Sequence, residues 1–263
     1  MHIIYRNFFS LLRSGAFADN VEIEPMSSYK WRELARIAKA HLLWDYICTG
    51  VNRNHTNIKL NLPYDLNREC NNEHTNKPIL QTPHLNACLQ RRHQQIVDSE
   101  LHNIDTSHDS LQLLDLIVSS THLLLSSHLD FNRIIEIGFF MRQRGDKADY
   151  VKIENWLRQL GISRFAALLG SVLIALLGFS EDELPFVANY DPYAETLAIK
   201  TLKKNITPEE WHFRINEQGF VVNNSRQFRQ NMKRSITFFQ YSPIISISNF
   251  FYNFAHSLKE IEE

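Results

Sequence analysis

The sequence has 263 residues, of which 44% are hydrophobic and 22% charged, and its 28 Lys and Arg residues balance 29 Asp and Glu residues. This composition is typical of a folded globular protein and excludes a disordered chain. The near-zero net charge gives no overall electrostatic reason to bind nucleic acid or an anionic membrane, and only a local basic patch would provide one. We therefore expect neither a membrane nor nucleic acid as a partner.

The cysteines and the apolar runs predict a cytoplasmic protein. Three cysteines are an odd number and too few for a disulfide framework, which favours a reducing compartment. Arg6 and Arg13 interrupt the apolar N-terminus, and no small-residue cleavage site follows, so it is not interpreted as a signal peptide. The apolar run from Ala166 to Ser180 is shorter than the roughly 20 residues that a membrane-spanning helix needs.

Residues 1–50 have the apolar spacing of two helices. The first is expected to end at Gly15, because glycine accepts the left-handed conformation at a helix C-terminus. The second is expected to begin near Ser27, whose side chain can cap it, and to continue to Gly50. This part of the sequence predicts an N-terminal helical segment.

Residues 51–110 differ from the rest of the chain because they are rich in Asn, His, Thr and Pro and contain no glycine. Three pieces have β-like composition, namely Ile58–Leu62, Pro78–Leu80 and Gln95–Leu101. The pattern is compatible with a small sheet, an extended surface connection or a loop, and it does not distinguish between them.

From Leu111 onward the chain has repeated helix start and stop signals. Helices are expected between the following capping residues and terminal glycines: Asp130–Gly145, Asp149–Gly161 and Ser163–Gly178. Capping boxes begin at Ser180 and Thr207. The segment after Trp211 fits either a short helix or a hairpin around Gly219. The fold prediction is a mainly α, multi-helical protein with at most a small remnant β-sheet within residues 58–101.

Two Cys–His pairs in the 51–110 region have side chains of the types that bind zinc. Two thiolates and two imidazoles, from Cys70, His74, Cys88 and His93, could complete a tetrahedral site. Their spacing matches no zinc-binding signature, and the chain has 12 histidines. Chance pairing is therefore the better interpretation of this set.

Near the C-terminus, basic residues alternate with aromatic ones. The basic members are Arg226, Arg229, Lys233 and Arg234. They could contact phosphates, although a solvated helix face is the more common cause of such a pattern. Asp98 and Glu100 are the candidate catalytic carboxylates, and on a strand they would point to opposite faces.

Several segments resemble, in their order along the chain, the bacterial nucleotidyltransferase-like proteins of the polymerase-β superfamily. The resemblance begins with Phe9-Ser-Leu-Leu-Arg-Ser-Gly and Trp31-Arg-Glu-Leu-Ala, and it continues with Ser99-Glu-Leu-His102. The helical segments from Phe131 to Pro185 are similar to the C-terminal part of that family. The resemblance implies a helical segment at 1–50, a degenerate or truncated core at 51–110 and a helical domain at 111–263.

The chain lacks the motifs that such enzymes use for catalysis. A Gly-Ser turn holds the nucleotide phosphates there, and an Asp-x-Asp strand holds two magnesium ions. No glycine lies between Gly50 and Gly138, and the sequence contains no Asp-x-Asp. Only Glu100 matches a metal carboxylate of the family. The resemblance therefore implies a catalytically inactive binding or assembly module with an unidentified protein or small-molecule partner.

Two other interpretations remain open. In the first, the protein is an active, divergent transferase that binds magnesium through Glu100 and Asp98, with Asp105 or Asp109, and binds phosphates through the basic residues of 226–234. In the second, it is a helical protein-interaction module unrelated to nucleotides.

Overall fold

The computed structural model describes residues 1–57, 60–71, 87–204, 213–215, 221–223 and 225–262. Within these ranges the chain is mainly α and multi-helical, which confirms the predicted fold class. The first six helices are α1 (Ile3–Phe17), α2 (Ser28–Ala40), α3 (Trp44–Arg53), α4 (Tyr64–Asn71), α5 (Ala87–Leu101) and α6 (His108–Ser126). They are followed by α7 (Phe131–Arg144), α8 (Tyr150–Leu160), α9 (Ser163–Leu177), α10 (Tyr193–Lys203), α11 (Ser225–Phe239) and α12 (Pro243–Glu262).

The two glycines of the N-terminal segment serve helix packing and do not end helices. Gly15 lies inside α1 and Gly50 lies inside α3, where the two helices cross. A Cβ atom on Gly15 would overlap the backbone oxygen of Tyr46, and one on Gly50 would overlap that of Leu11. The predicted helix ends at these glycines are therefore wrong, because both positions are needed for close approach of the two backbones.

The single helix predicted between Ser27 and Gly50 is divided into α2 and α3. The chain breaks at Leu42, whose φ of 56° is left-handed. The N–H of Leu43 donates to the carbonyl of Ala38 at 2.8 Å, which closes the end of α2. No glycine or proline marks this break, and the side chain of Leu42 is exposed.

The β-like pieces of 51–110 are not strands where the structure describes them. Gln95–Leu101 forms the second half of α5, whereas Pro78–Leu80 and part of Ile58–Leu62 lie outside the described residues. Among the described residues, the strands are β1 (Phe213–Ile215) and β2 (Val221–Asn223), which pair antiparallel. The antiparallel pairing that the hairpin interpretation requires is therefore present, and the predicted turn around Gly219 lies outside the described residues.

The helix signals of the second half are mostly confirmed. Asp130 and Asp149 cap α7 and α8 by accepting backbone N–H bonds, and Gly161 and Gly178 end α8 and α9 with φ of 71° and 74°. Gly145 has a right-handed φ of −56° instead, because α7 continues into a 3-10 turn. These agreements reflect signals that act within one turn of the chain.

The two capping boxes have different outcomes. Glu183 accepts a hydrogen bond from the backbone N–H of Ser180 at 2.7 Å, so the first box is formed and starts a 3-10 turn, Glu181–Glu183. The box beginning at Thr207 lies outside the residues that the structure describes.

A single buried hydrophobic cluster includes residues from all three predicted segments, for example Phe8, Val51 and Leu113. The expected boundary after residue 50 falls inside α3, and the one after residue 110 falls inside α6. Helix α6 lies at the centre, where it contacts α7, α8, α9, α11 and α12. No described helix is both long enough and apolar enough to cross a membrane.

Candidate functional site

The carboxylate of Glu100 is buried at the C-terminal end of α5 and accepts three hydrogen bonds. It accepts hydrogen bonds from the ammonium group of Lys152 at 2.7 Å, the backbone N–H of Ser107 at 3.0 Å and the side-chain amide of Asn103 at 3.0 Å. Ser107 is the N-cap residue of α6, and Lys152 lies in the first turn of α8. Glu100 therefore joins the end of α5 to the starts of two other helices.

The pKa of Glu100 reflects these bonds. Burial by itself would raise the pKa, but the hydrogen bonds from Lys152, Ser107 and Asn103 outweigh burial and hold the pKa below its ordinary value. The same contact raises the pKa of Lys152. A metal ion would have to displace one of these donors, so the arrangement is that of a structural carboxylate.

Asp98 and Asp109 have partners other than those of Glu100, whereas Lys152 donates both to Glu100 and to the backbone carbonyl of Asp105. Asp98 is exposed and accepts a hydrogen bond from Gln94 at 2.8 Å. Because Asp98 and Glu100 lie two residues apart on a helix, their side chains leave it on different sides. Asp109 forms an ion pair with Arg144 at 3.6 Å. These observations do not support the magnesium site of the active interpretation, which needs Asp98, together with Asp105 or Asp109, beside Glu100.

Part of the C-terminal basic cluster lines a pocket between α10, α11 and the end of α6. The pocket has a volume of about 340 Å³, and its apolar floor includes the buried side chains of Leu124, Leu129, Leu197 and Phe238. Five basic residues line it, namely His128, Lys200, Lys204, Lys233 and Arg234. No Asp or Glu is among the lining residues, so we call this site the basic pocket.

The cations of the basic pocket have different neighbours. Arg234 donates to the backbone carbonyl of Ser126 and to Asn231, so it also closes the C-terminus of α6, where a positive charge is favourable. Lys200 lies 5.2 Å from the ring of Tyr193, and Lys233 is exposed on α11. Lys200 and Lys233 are therefore the cations best placed to meet a bound anion.

A buried histidine lies behind His128. The rings of His41 and His128 are 6.4 Å apart. Burial, together with repulsion from His128, lowers the pKa of His41 to about 4, so that His41 is neutral at neutral pH. Neutral His41 adds no charge to this side of the basic pocket.

The structure does not bring the two groups of predicted site residues together. Glu100 contacts the start of α6, and Arg234 contacts its end. Arg229 is exposed on α11 and does not line the basic pocket, and the side chain of Arg226 lies outside the described set. Of the predicted phosphate-binding residues, Lys233 and Arg234 thus share one pocket.

The proposed zinc ligands are not assembled where they are described. Cys70 forms a disulfide with Cys48, which leaves no thiolate at residue 70. His74 and the side chain of Cys88 lie outside the described residues, and His93 lies on α5 with a pKa lowered by burial. Among the residues that the structure describes, no group of three or more His, Cys, Asp or Glu could hold a metal ion.

A larger cavity, of about 580 Å³, lies beside α9 and the start of α10. Three of its polar side chains, those of Asp191, Tyr241 and Arg164, are bonded to one another or to the backbone. Asp191 accepts a hydrogen bond from the hydroxyl of Tyr241 at 2.6 Å and caps α10 by accepting one from the N–H of Tyr193. Arg164 donates to the carbonyl of Gln240 at 2.6 Å. These bonds explain the polar groups structurally, so the cavity is the weaker candidate.

Sequence reasoning missed three lining residues of the basic pocket, namely His128, Lys200 and Lys204. The available signal was Lys200 and Lys204 near the end of a helical pattern. Lysines are common at that place, because a positive charge is favourable at a helix C-terminus. Their partnership with α11 depends on how the helices pack.

No protein-family model, no curated protein and no solved structure matches this chain.

Proposed function

We propose that this chain is a binding module that holds a phosphate-bearing small molecule in the basic pocket and does not transfer nucleotidyl groups. The observation that carries the proposal is a lining with five basic residues and no carboxylate. Such a pocket attracts anions, and lysines bind phosphate as point charges. The apolar floor would contact the non-phosphate part of the ligand.

A nucleoside triphosphate is the first ligand to test. Its phosphates suit the cations at the rim of the basic pocket, and its base suits the apolar floor formed by residues such as Leu197 and Phe238. The resemblance to nucleotidyltransferase-like proteins points to the same ligand class. The three hydrogen bonds that Glu100 accepts support binding without catalysis, because they already occupy its carboxylate. No carboxylate that could hold magnesium is among the described residues that line the basic pocket.

Isothermal titration calorimetry with ATP, GTP and pyrophosphate tests this proposal. The Lys200→Gln, Lys233→Gln double variant is expected to weaken binding about tenfold or more, since it removes two charge-assisted contacts. Arg229→Gln is the matched control, because Arg229 lies one helical turn from Lys233 and outside the pocket.

Two results would contradict the proposal. Absence of heat with all three ligands would exclude an anion site of useful affinity. An equal loss of affinity in the Arg229→Gln variant would show that binding follows overall charge and not the pocket. Magnesium-dependent transfer from a nucleoside triphosphate that Glu100→Ala abolishes would instead establish the active transferase.

A further inference from the structure

Large hydrophobic side chains are exposed along α11 and α12. Six of the fourteen exposed large hydrophobic residues in the described part of the chain lie on these two helices, with between 41% and 68% of their surface in solvent. They are Met232, Ile236, Phe239, Ile244, Ile247 and Phe251. We call this set the α11–α12 stripe. Such a concentration on one helix pair marks an interaction surface in soluble proteins.

The spacing of these residues places each group of three on one helix face. The residues of α11 are separated by four and three positions, and those of α12 by three and four, which is the repeat of neighbours on a helix surface. The opposite faces of both helices are buried, for example at Phe238 and Ile245, and both helices contact α6. The exposed faces therefore point away from the core.

The two helices form one hairpin, so their exposed faces are neighbours. The ring of Phe228 on α11 lies 5.8 Å from that of Phe250 and 6.4 Å from that of Phe254 on α12. These contacts join the far ends of the pair, while the short turn around Tyr241 joins the near ends. Both parts of the α11–α12 stripe thus lie on one packed helix pair.

Positive charge accompanies this apolar surface. The sequence from Ser225 to Lys259 contains no Asp or Glu. It contains five basic residues, at positions 226, 229, 233, 234 and 259. Arg229 and Lys233 are exposed on α11 beside Met232. Helix α11 has exposed hydrophobic residues, flanking cations and no acidic residue, whereas α12 carries Glu260 and Glu262 only in its last turn. Helix α11 therefore has the chemistry of a segment that lies on a membrane surface.

We propose that the α11–α12 stripe docks on an anionic lipid surface, with its hydrophobic side chains at the headgroup boundary and Arg229 and Lys233 near lipid phosphates. A second copy of the chain fits less well, because pairing two α11 helices would bring Arg229 and Lys233 of both copies together, and α11 has no acidic residue to balance them. Nucleic acid would use the cations but leave the hydrophobic residues unexplained. The stripe and Arg229 lie outside the basic pocket, and Lys233 is the one residue that the two proposals share.

This lipid contact differs from the absence of a membrane partner expected from composition. The net charge near zero is the sum over the whole chain, in which the basic residues of α11 are balanced by acidic residues elsewhere. It therefore does not describe the charge of the exposed face of α11. The proposed contact is peripheral, with the helices lying along the surface.

Vesicle co-sedimentation of the full chain tests this inference. Vesicles of phosphatidylcholine with about 30% phosphatidylserine are compared with vesicles of phosphatidylcholine alone. The Ile236→Ser, Phe251→Ser double variant is expected to lower the partition coefficient about tenfold or more, since it removes two large apolar groups from the lipid boundary. The matched control is Tyr29→Ser, Val151→Ser, because both side chains are exposed on other helices.

The expected result is binding to the anionic vesicles that weakens with salt and is lost in the stripe variant but kept in the control. Circular dichroism and thermal unfolding verify that both variants are folded. Absence of sedimentation with anionic vesicles overturns the proposal, as does equal binding to phosphatidylcholine alone. A concentration-dependent dimer that only the stripe variant abolishes also overturns it, since the surface would then join two copies of the chain.

Discussion

Replacement of Glu100 is expected to destabilise the fold without removing any catalytic activity. The carboxylate accepts three hydrogen bonds, from Lys152, Ser107 and Asn103, and it links α5, α6 and α8. Glu100→Ala removes all three acceptor contacts, while Glu100→Gln keeps the shape of the side chain but can accept fewer of them. The two variants therefore separate loss of volume from loss of charge.

The magnitude follows from what each donor loses. The N–H of Ser107 and the amide of Asn103 each lose an acceptor, which costs roughly 1 kcal/mol apiece. The side chain of Lys152 is 25% exposed, so its ammonium group can recover contact with water and avoids the full penalty of a buried unpaired charge. We expect Glu100→Ala to lower the free energy of unfolding by about 2–3 kcal/mol and Glu100→Gln by about 1–2 kcal/mol.

The pH dependence of these effects has a defined sign. The folded state holds the pKa of Glu100 below its ordinary value of 4.5, so ionised Glu100 stabilises the fold. This contribution is fully present above pH 4.5 and is lost as pH falls through the lower pKa of the folded state. The stability difference between the wild type and Glu100→Gln should therefore shrink as the solution is made more acidic.

Urea unfolding followed by circular dichroism, repeated at several pH values, measures both effects. Asp98→Asn is the matched control, because Asp98 lies on the same helix, is exposed, and its carboxylate bonds only Gln94 among the contacts described. A Glu100→Ala variant that unfolds at the same urea concentration as the wild type would contradict the structural role of Glu100. The same holds if Asp98→Asn lowers the free energy of unfolding as much as Glu100→Ala does.

Three further changes test other parts of the molecule. Gly50→Ala is expected to lower the free energy of unfolding by about 3 kcal/mol, because its Cβ would overlap a backbone oxygen of α1; an unchanged midpoint of thermal unfolding would refute this packing. Reduction of the Cys48–Cys70 bond, which closes a loop with a sequence separation of 22, is expected to cost about 3 kcal/mol. Alkylation followed by mass spectrometry should modify fewer thiols before reduction than after it. Tyr241→Phe should cost about 1 kcal/mol through loss of the bond to Asp191. Burial and this bond raise the pKa of Tyr241, so ultraviolet titration should show the phenol ionising after exposed tyrosines.

The accuracy of the sequence predictions depended on how far apart the interacting residues lie. The caps at Asp130 and Asp149 and the end at Gly161 were predictable, because each depends on backbone groups within one turn. Gly15 and Gly50 were misinterpreted as helix ends, since the contact that requires them joins two different helices. A glycine that permits a left-handed turn and one that permits close packing look alike in a sequence.

The same limit applies to the candidate sites. Glu100 was named as a candidate metal carboxylate, whereas in the structure it binds Lys152, which is 52 residues away and could not be predicted as its partner. Cys48 and Cys70 could not be paired either, because an odd cysteine count is compatible with one bond as well as with none. The reducing compartment expected from that count remains a prediction, and the disulfide argues against it.

Helix α6 separates Glu100 from the basic pocket. Nineteen residues at 1.5 Å per residue make it about 28 Å long, and Glu100 and Arg234 contact its opposite ends. Phosphoryl transfer requires metal-binding carboxylates and cations around the same phosphate. Leu113 and Ile117 of α6 are fully buried. The close-packed core therefore holds α6 in place and keeps the groups at its two ends apart. Unfolding experiments therefore report on Glu100, and binding experiments report on the basic pocket.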